Sequence, residues 1–394
     1  MKLLRPEHEV LISIARRFLE PQDHEKLRDA LQRNIDWDYL LSSASKHGLL
    51  PLLNKHANNT FANCLPVYVR STLKRESVTN IQSVLHLTSK ALKINQVFNH
   101  RGVKCAMFKG PVLAEQVFGE ATLRQAGDID CLIQPEDFAL ARELLESLGY
   151  EMYPKLTSAQ LQSHLRFHCE IQFARDDWFT VVDLHWALTP RSFVFGMSHA
   201  EVLSRLKTVE YAGTTIHTFD DIDLLLYLAM HGAKHLWRRI ERIASLAELV
   251  RTFKNENWSA AVERAVNARA KRILALGLRL VENLYKWSPP EYVLQNLDGE
   301  GEMQRFAEDI CNELFDQENT VESTQTNLYN LKIMDRKRDA LVSMLRAVFV
   351  PTLSDWESLT LPSSLHLLYY ALRPIRLTKN YSSILLRRVH QARN

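Results

Sequence analysis

Two aspartates separated by one residue, Asp128 and Asp130, open an apolar run that continues to Ile133. A β-strand sends alternate side chains to opposite faces, so both carboxylates would lie on one face and Ile129 on the other. Two carboxylates this close repel each other unless a cation lies between them. A hard divalent cation such as Mg²⁺, or Mn²⁺, prefers carboxylate oxygens and keeps positions open for substrate phosphates. The alternative is a solvated strand end, where Asp-x-Asp is common, and the neighbouring residues favour the metal.

The residues before this pair are typical of a phosphate-binding turn. An apolar run over residues 103–108 ends in Lys109 and Gly110, and a glycine lets the backbone approach a phosphate closely. A short helix is predicted next. Arg124 lies four residues before the first aspartate of the pair. Arg124 either binds phosphate or forms a structural ion pair with the aspartates, and the sequence leaves both interpretations open.

A β-branched run further along supplies a third acid, Asp183, and predicts a strand whose same face carries His185. Residues 166–174 alternate between apolar and polar and predict another strand. The polar residues 175–177 would join the two strands as a hairpin. That pairing would bring Glu170 near the third acid, and the simpler alternative for Glu170 is a solvated hairpin face.

This order of elements resembles the layout of the nucleotidyltransferase fold. That layout has a strand, a Lys-Gly turn, a helix, an Asp-x-Asp strand and a later strand with one Asp. More narrowly, the chain is similar to the bacterial family of uncharacterised nucleotidyltransferases. The residues that carry the resemblance are Lys109-Gly110, Arg124, Asp128-Ile129-Asp130, Gly149-Tyr150 and Val182 to Trp186. The resemblance implies an α+β fold, in which a mixed sheet is flanked by N-terminal and C-terminal helical regions. It also implies that three carboxylates hold metal against a nucleoside triphosphate.

The resemblance assigns roles to individual residues. Asp128, Asp130 and Asp183 would be the catalytic residues and the ligands of Mg²⁺ or Mn²⁺. The residues expected to bind the nucleotide phosphates are Lys109, Gly110, Arg124 and Lys234. The residues expected to support the acids or to contact the acceptor are His185, His231 and His235.

A long helix is predicted from Ile222 to about Phe253, with the aspartates at 220 and 221 as its cap. Five basic residues in it recur at helical spacing and would share one face: His231, Lys234, His235, Arg238 and Arg242. This face could hold a triphosphate or an anionic acceptor, and a plainly solvated basic face is the alternative. The two histidines have the spacing of a zinc protease, but the intervening general-base glutamate is missing, which argues against that activity.

Glycine is scarce, with 12 in 394 residues, so a largely helical chain is expected. We predict a helical region over residues 1–100, an α/β core over 101–218 and a second helical region over 219–394. In the first region, Asp36 is predicted to cap a helix, and one long helix is predicted from about Pro66 to His100.

Composition excludes several classes of protein. The formal net charge of +3 gives no case for a nucleic-acid partner. The 5 cysteines show no close spacing, so neither a zinc site nor a disulfide framework is expected. Charges interrupt the apolar positions of the N-terminus, and no apolar run reaches about 18 residues, so neither a signal peptide nor a membrane span is expected. A cytoplasmic protein is predicted.

The activity that the resemblance implies is transfer of a nucleoside monophosphate from a nucleoside triphosphate to an acceptor, with release of pyrophosphate. The acceptor stays unassigned among small molecules, sugars, peptides and protein side chains. Two other functions stay open. One is a catalytically inactive interaction module with the same fold, and the other is a phosphotransferase that uses the same acids.

Overall fold

The computed structural model describes residues 4–61, 64–175, 180–316 and 329–391. The described chain begins with a series of helices: α1 (Pro6–Ile14), α2 (Pro21–Gln32), α3 (Trp37–Lys46), α4 (Leu50–Thr60) and α5 (Val67–His100). Asp36 caps α3 as predicted, since its carboxylate accepts a hydrogen bond of 3.0 Å from the Tyr39 backbone N–H. The long α5 matches the predicted helix. It ends at His100, after which the chain enters the sheet.

A seven-stranded mixed sheet forms the centre of the described chain, with strand order β3-β4-β5-β2-β1-β7-β6. The strands are β1 (Ala106–Met107), β2 (Asp128–Leu132), β3 (Glu151–Tyr153), β4 (Glu170–Ala174), β5 (Val181–His185), β6 (Lys207–Tyr211) and β7 (Thr214–Thr218). The helices between them are α6 (Gly110–Phe118), α7 (Phe138–Ser147), α8 (Ser158–Phe167) and α9 (His199–Ser204). β2 runs parallel to β5, and β4 runs antiparallel to β5.

The C-terminal part of the described chain is helical. Its labelled helices are α10 (Asp221–Lys234), α11 (Ile240–Val250), α12 (Asn255–Asn267), α13 (Lys271–Tyr285), α14 (Glu291–Leu297), α15 (Glu302–Glu313), α16 (Lys337–Phe349), α17 (Leu353–Ser358) and α18 (Leu368–Gln391). The predicted α+β arrangement, a mixed sheet flanked by helices, is therefore confirmed. Within the described residues, no helix combines the length and apolarity needed to cross a membrane.

Alternation along β1 and β2 divides the hydrophobic core between the two faces of the sheet. Phe108 and Leu132 belong to a large cluster that also contains residues of the N-terminal and C-terminal helices. Met107 and Cys131 belong to a second cluster that contains residues of α5 and α7. Asp128 begins β2, and Asp130 and Asp183 are the central residues of β2 and β5, which this packing holds from both sides.

The predicted strand over residues 166–174 is shorter than expected. Residues 166 and 167 end α8, and β4 begins only at Glu170. A capping box between Thr157 and Gln160 starts the helix, and the Trp186 indole N–H donates to the carbonyls of Leu165 and His168 at 3.1 and 3.0 Å. The helix cap and the contacts with the Trp186 indole together outweigh the strand-like alternation of these residues. The antiparallel pairing of β4 with β5 agrees with the predicted hairpin, and residues 176 and 177 of its turn lie outside the described residues.

The prediction of one helix from Ile222 to about Phe253 is wrong. The helix stops at Lys234, and Leu236 and Trp237 adopt left-handed backbone conformations with φ of 57° and 53° before α11 begins. Trp237 is fully buried, and a Cβ at Gly232 would lie 2.4 Å from its ring. Burying this large side chain against a glycine turns the chain away from the helix axis. The basic residues after position 234 therefore do not continue the face of α10.

Candidate active site

Three strands bring the predicted acids to one side of the sheet. In the parallel register of β2 and β5, Asp130 lies opposite Asp183. In the antiparallel register of β4 and β5, Glu170 lies opposite His185. These residues, with Asp128 at the start of β2, line or support a pocket of about 450 Å³, within the size range of small-molecule sites. The strand pairing places acids from distant parts of the chain in one pocket.

Asp130 is the most buried of these acids, and it has two partners. Lys109 Nζ lies 2.6 Å from its Oδ1 atom, and His185 Nε2 lies 2.9 Å from the same atom. Burial alone would raise the pKa of Asp130, but the Lys109 ammonium and the His185 ring lower it to about 2. Asp130 is therefore ionised, and Lys109, which the sequence predicts to bind phosphate, is its counter-ion here.

Among the described residues, the other two acids form no ion pair, and their pKa values are raised. Burial and the charge of Asp130 raise the pKa of Asp183 to about 6. Burial and the same neighbour also raise the pKa of Asp128. In the described part of the chain, the buried oxygens Asp130 Oδ2 and Asp183 Oδ1 have no hydrogen-bond partner. A cation between these oxygens would stabilise both carboxylates.

The donor set fits a divalent cation. One ligand atom from each of Asp130, Asp183 and His185 lies within 4.8 Å of the others, and Asp128 lines the same pocket. Oxygen donors of this kind suit Mg²⁺ or Mn²⁺. His185 already bonds to Asp130 through Nε2, and its Nδ1 lies 3.0 Å from Glu170 Oε2. The three aspartates are therefore the residues that would hold the ion, and His185 orients one of them.

Gly110 brings the backbone of the Lys-Gly turn close to β2. It adopts φ of 56°, and a Cβ at this position would lie 3.2 Å from the Asp128 carbonyl oxygen. A left-handed conformation so close to another strand favours glycine. The structure therefore places Gly110 at the pocket wall, beside the acids, as the sequence predicts.

A basic segment forms another part of the wall of the same pocket. Lys234 at the end of α10, Arg239 in the connection and Arg242 in α11 line the pocket. Arg238, which the sequence places on the same face, is not among the lining residues. In the described part of the chain, neither Lys234 nor Arg242 forms an ion pair. Burial and the neighbouring Arg239 lower the pKa of Arg242 to about 10, which still leaves it charged at neutral pH.

The two histidines of this wall are uncharged, contrary to the predicted cationic face. Burial and the charge of Lys109 hold the pKa of His231 well below its ordinary value. Burial and the charge of Arg242 lower the pKa of His235 to about 3. At neutral pH both rings offer hydrogen bonds to a ligand but no charge.

Arg124 has a partner that the sequence does not predict. Its Nε atom donates to Glu241 Oε1 in α11, rather than to the aspartates. Glu241 also lies 4.0 Å from the Arg239 guanidinium. Glu241, Arg239 and Tyr227 line the pocket and were not predicted as site residues. The sequence offers a signal for Glu241, because an acid between Arg239 and Arg242 can serve as a counter-ion to arginine. Its partner Arg124 cannot be read from the sequence, because that contact depends on where the helix breaks.

The N-terminal helices hold this basic segment in place. The Glu241 backbone N–H donates to the His47 carbonyl at 3.2 Å, and the Ile240 N–H donates to His47 Nδ1 at 3.4 Å. Gly48 adopts φ of 73°, and a Cβ there would lie 2.7 Å from an Arg239 guanidinium nitrogen. The end of α3 therefore fixes the start of α11.

The protein is expected to lose stability as the pH falls from about 6.5 toward about 4, because the unfolded chain protonates His47 before the folded chain does. Burial, with the charges of Lys46 and Arg239, lowers the pKa of His47 from 6.5 to about 4. This stabilising contribution is fully present above pH 6.5, and it is lost as the pH falls toward about 4. Between about pH 7 and about pH 5 it amounts to about 2 kcal/mol.

Urea unfolding of the wild type and of His47→Asn at both pH values measures this contribution. The asparagine oxygen still accepts the Ile240 N–H, but it does not titrate. We expect the pH-dependent loss to be smaller in the variant by that amount. Equal losses in the two proteins would exclude His47 as the source.

A family model described as "Uncharacterised nucleotidyltransferase" matches residues 33–286. Among solved structures, the chain is similar to a solution structure of the antibiotic-resistance factor ANT(2'')-Ia, at 14% identity and a TM-score of 0.31. That alignment covers 50% of this chain and 93% of the other. Comparison with curated proteins gives no match.

The family match extends over more than half of the chain, from the residues before α3 to the end of α13. It contains every residue that lines the pocket described above, from Lys109 to Arg242. The chain belongs to the uncharacterised nucleotidyltransferase family.

Proposed function

We propose that the chain is a metal-dependent nucleotidyltransferase that moves a nucleoside monophosphate from a nucleoside triphosphate to a hydroxyl-bearing acceptor. One observation carries the proposal. Asp130 and Asp183 line a pocket and carry buried oxygens that have no hydrogen-bond partner among the described residues. The same pocket is lined by Lys234 and Arg242, which form no ion pair in the described part of the chain. A metal bound to a triphosphate complements both sets of residues, since the cation meets the acids and the phosphates meet the basic residues.

In this reaction the acceptor oxygen bonds to the α-phosphorus, and the bond from that phosphorus to the oxygen bridging to the β-phosphate breaks. Pyrophosphate leaves with the electron pair of the broken bond. When bound, Mg²⁺ or Mn²⁺ neutralises charge on the phosphoryl oxygens. We assign two roles to Asp183. It helps to hold the metal, and it accepts the proton of the acceptor hydroxyl.

The remaining residues orient these groups. Lys109 and His185 keep Asp130 ionised and fix the orientation of its carboxylate, through contacts of 2.6 and 2.9 Å. Lys234 and Arg242 are assigned to the phosphates, because charge-assisted hydrogen bonds to phosphate suit cations that have no protein partner. The backbone of Gly110, which lines the pocket beside the acids, is assigned to the phosphates as well. Arg124 acts through Glu241, which it holds in place.

The proposal is tested by titrating each of the four ribonucleoside triphosphates into the protein by calorimetry, with and without Mg²⁺. We expect metal-dependent binding of at least one nucleotide, which would also name the donor. Absence of binding by all four nucleotides, with Mg²⁺ and in a repeat with Mn²⁺, would contradict the proposal. Product analysis then separates the two transfer chemistries. Pyrophosphate marks nucleotidyl transfer, whereas nucleoside diphosphate marks the alternative phosphotransferase.

Lys234→Ala is expected to weaken metal-dependent binding of the nucleotide by roughly 10- to 100-fold, because one charge-assisted hydrogen bond contributes roughly 1.5–3 kcal/mol. Arg238→Ala is the matched control. The sequence places it on the same helical face, but it lies after the break and does not line the pocket. We expect its affinity to stay within about twofold of the wild type. Equal losses in both variants would contradict the assigned role of Lys234.

A further inference from the structure

A second cavity, of about 190 Å³, adjoins the candidate active site. The segment that follows β5 contributes Phe193, and α16 contributes Ala340, Met344 and Ala347. The polar contributors that matter here are Asn330 and Lys234. Apolar groups therefore form most of the wall, which sets this cavity apart from the charged pocket beside it.

Two links join the cavities. Lys234 lines both of them. The chain that leaves β5 also lines both, with Leu188 in the first and Pro190 in the second. The two cavities are therefore neighbours, joined by one side chain and by the chain that follows the strand carrying Asp183.

Contacts between α16 and the segment after β5 hold the second cavity open. The Ser343 hydroxyl donates to the Ser192 carbonyl. The Arg346 guanidinium donates to the Arg191 carbonyl at 2.8 Å. Phe193, which lines the cavity, is buried with 5% of its surface exposed, so its packing restrains this part of the wall. A pre-formed shape of this kind favours binding of a ligand of fitting size.

The size and the walls restrict what fits. An apolar cavity of about 150 Å³ accepts a molecule the size of benzene. At the rim, Leu331 and Met344 leave 39% and 40% of their surface exposed. Covering these side chains with an apolar ligand group would remove them from water, which is favourable. The cavity therefore suits one aromatic ring or a branched alkyl group.

One charged group restricts the ligand further. Lys234, at the junction of the cavities, repels cationic ligands. Its charge therefore disfavours a polyamine or a polycationic aminosugar, and the apolar walls favour an uncharged ligand.

We infer that this second cavity is the acceptor site, and that the acceptor is a small uncharged alcohol or phenol with an apolar body about the size of a benzene ring. The identification of the ligand as the acceptor rests on the proposed function. The identification of the cavity as a ligand site rests only on the residues that line it. The hydroxyl that reacts faces Asp183, and its proton passes to that carboxylate as the oxygen bonds to the α-phosphorus.

The test uses 3-phenylpropan-1-ol as the probe, with glycerol and glucosamine as comparison compounds that lack the apolar body or carry a positive charge. Ligand-observed NMR measures binding to the full chain. We expect saturable binding of the phenyl alcohol and none of the other two at the same concentration. No saturable binding of 3-phenylpropan-1-ol to the wild type would overturn the inference.

Ala347→Phe fills the cavity, and we expect it to weaken binding of the probe by at least about tenfold. Leu341→Phe is the matched control, because Leu341 lies on the same helix with 50% of its surface exposed and does not line the cavity. If circular dichroism shows that Ala347→Phe does not fold, Met344→Asp at the rim takes its place with the same expected loss. Unchanged binding in the folded variant would also overturn the inference.

Calorimetry with the nucleotide separates this inference from the proposed function. If the wild type binds metal and nucleotide but not the probe, the acceptor-site inference alone fails. If it binds the probe but no nucleotide, the proposed function fails and the cavity remains a ligand site. With both bound, mass spectrometry is expected to detect the nucleoside monophosphate ester of 3-phenylpropan-1-ol. Its absence, with pyrophosphate release equal to that without alcohol, would refute the acceptor role.

Discussion

Asp128→Asn is expected to abolish metal-dependent binding of the nucleoside triphosphate while leaving the fold intact. We expect at least about a 100-fold loss of affinity, because even residues behind a metal ligand change affinity by 10- to 100-fold. Asp128 forms no ion pair in the described part of the chain, and burial with the charge of Asp130 raises its pKa. Removing that charge therefore relieves repulsion, and the free energy of unfolding should change by less than about 1 kcal/mol.

Calorimetry with and without Mg²⁺ measures the affinity, and urea unfolding measures the stability. Asp309→Asn is the matched control, because Asp309 is exposed on α15 and does not line the pocket. The same substitution there should change neither quantity. Nucleotide binding that survives Asp128→Asn at wild-type strength would refute the assignment of Asp128 as a metal ligand.

Lys109→Met is expected to destabilise the protein by about 3–5 kcal/mol, because breaking a buried ion pair leaves an uncompensated charge. The Lys109 ammonium lies 2.6 Å from Asp130, whose side chain is 1% exposed. Methionine has a similar length and fills the same space, so the loss reports the charge rather than a cavity. Urea unfolding at neutral pH measures it.

Two further variants separate the ion pair from the substitution itself. Lys155→Met removes a lysine from an exposed pair with Glu151, in which the side chains are 84% and 65% exposed. We expect that variant to lose less than about 1 kcal/mol. In the double variant Lys109→Met with Asp130→Asn, the unpaired charge is gone, so at least about half of the lost stability should return. A single variant as stable as the wild type would contradict the buried pair.

Local residue patterns predict a large part of the candidate site. Alternation along a strand is a property of the backbone, so Asp128 and Asp130 are predicted on one face without knowledge of any partner. The same rule pairs Asp183 with His185. Cap residues act on their own helix, and Asp36 is therefore predicted correctly as well. The register between β2 and β5 then brings the two sets of acids together.

The basic wall shows where local patterns fail. Helical spacing places Arg238 and Arg242 with Lys234, but the burial of Trp237 ends the helix after Lys234. Arg242 still lines the pocket, from α11, whereas Arg238 does not, and Arg239 lines it although the spacing does not place it on that face. The free energy of burying a tryptophan exceeds the helix propensity of a few residues. That contact depends on space left by Gly232 and Gly277, which no periodicity in the basic residues reveals.

The sequence by itself determined which acids share a strand face, where the long helices begin and which residues form the Lys-Gly turn. These features depend on interactions within a few residues, which act in the same way wherever the segment lies. Only the tertiary structure decided that Arg124 pairs with Glu241, that His47 holds α11 and that an apolar cavity adjoins the acids. Each of these contacts joins segments far apart in the chain, and its energy exists only after both segments are packed.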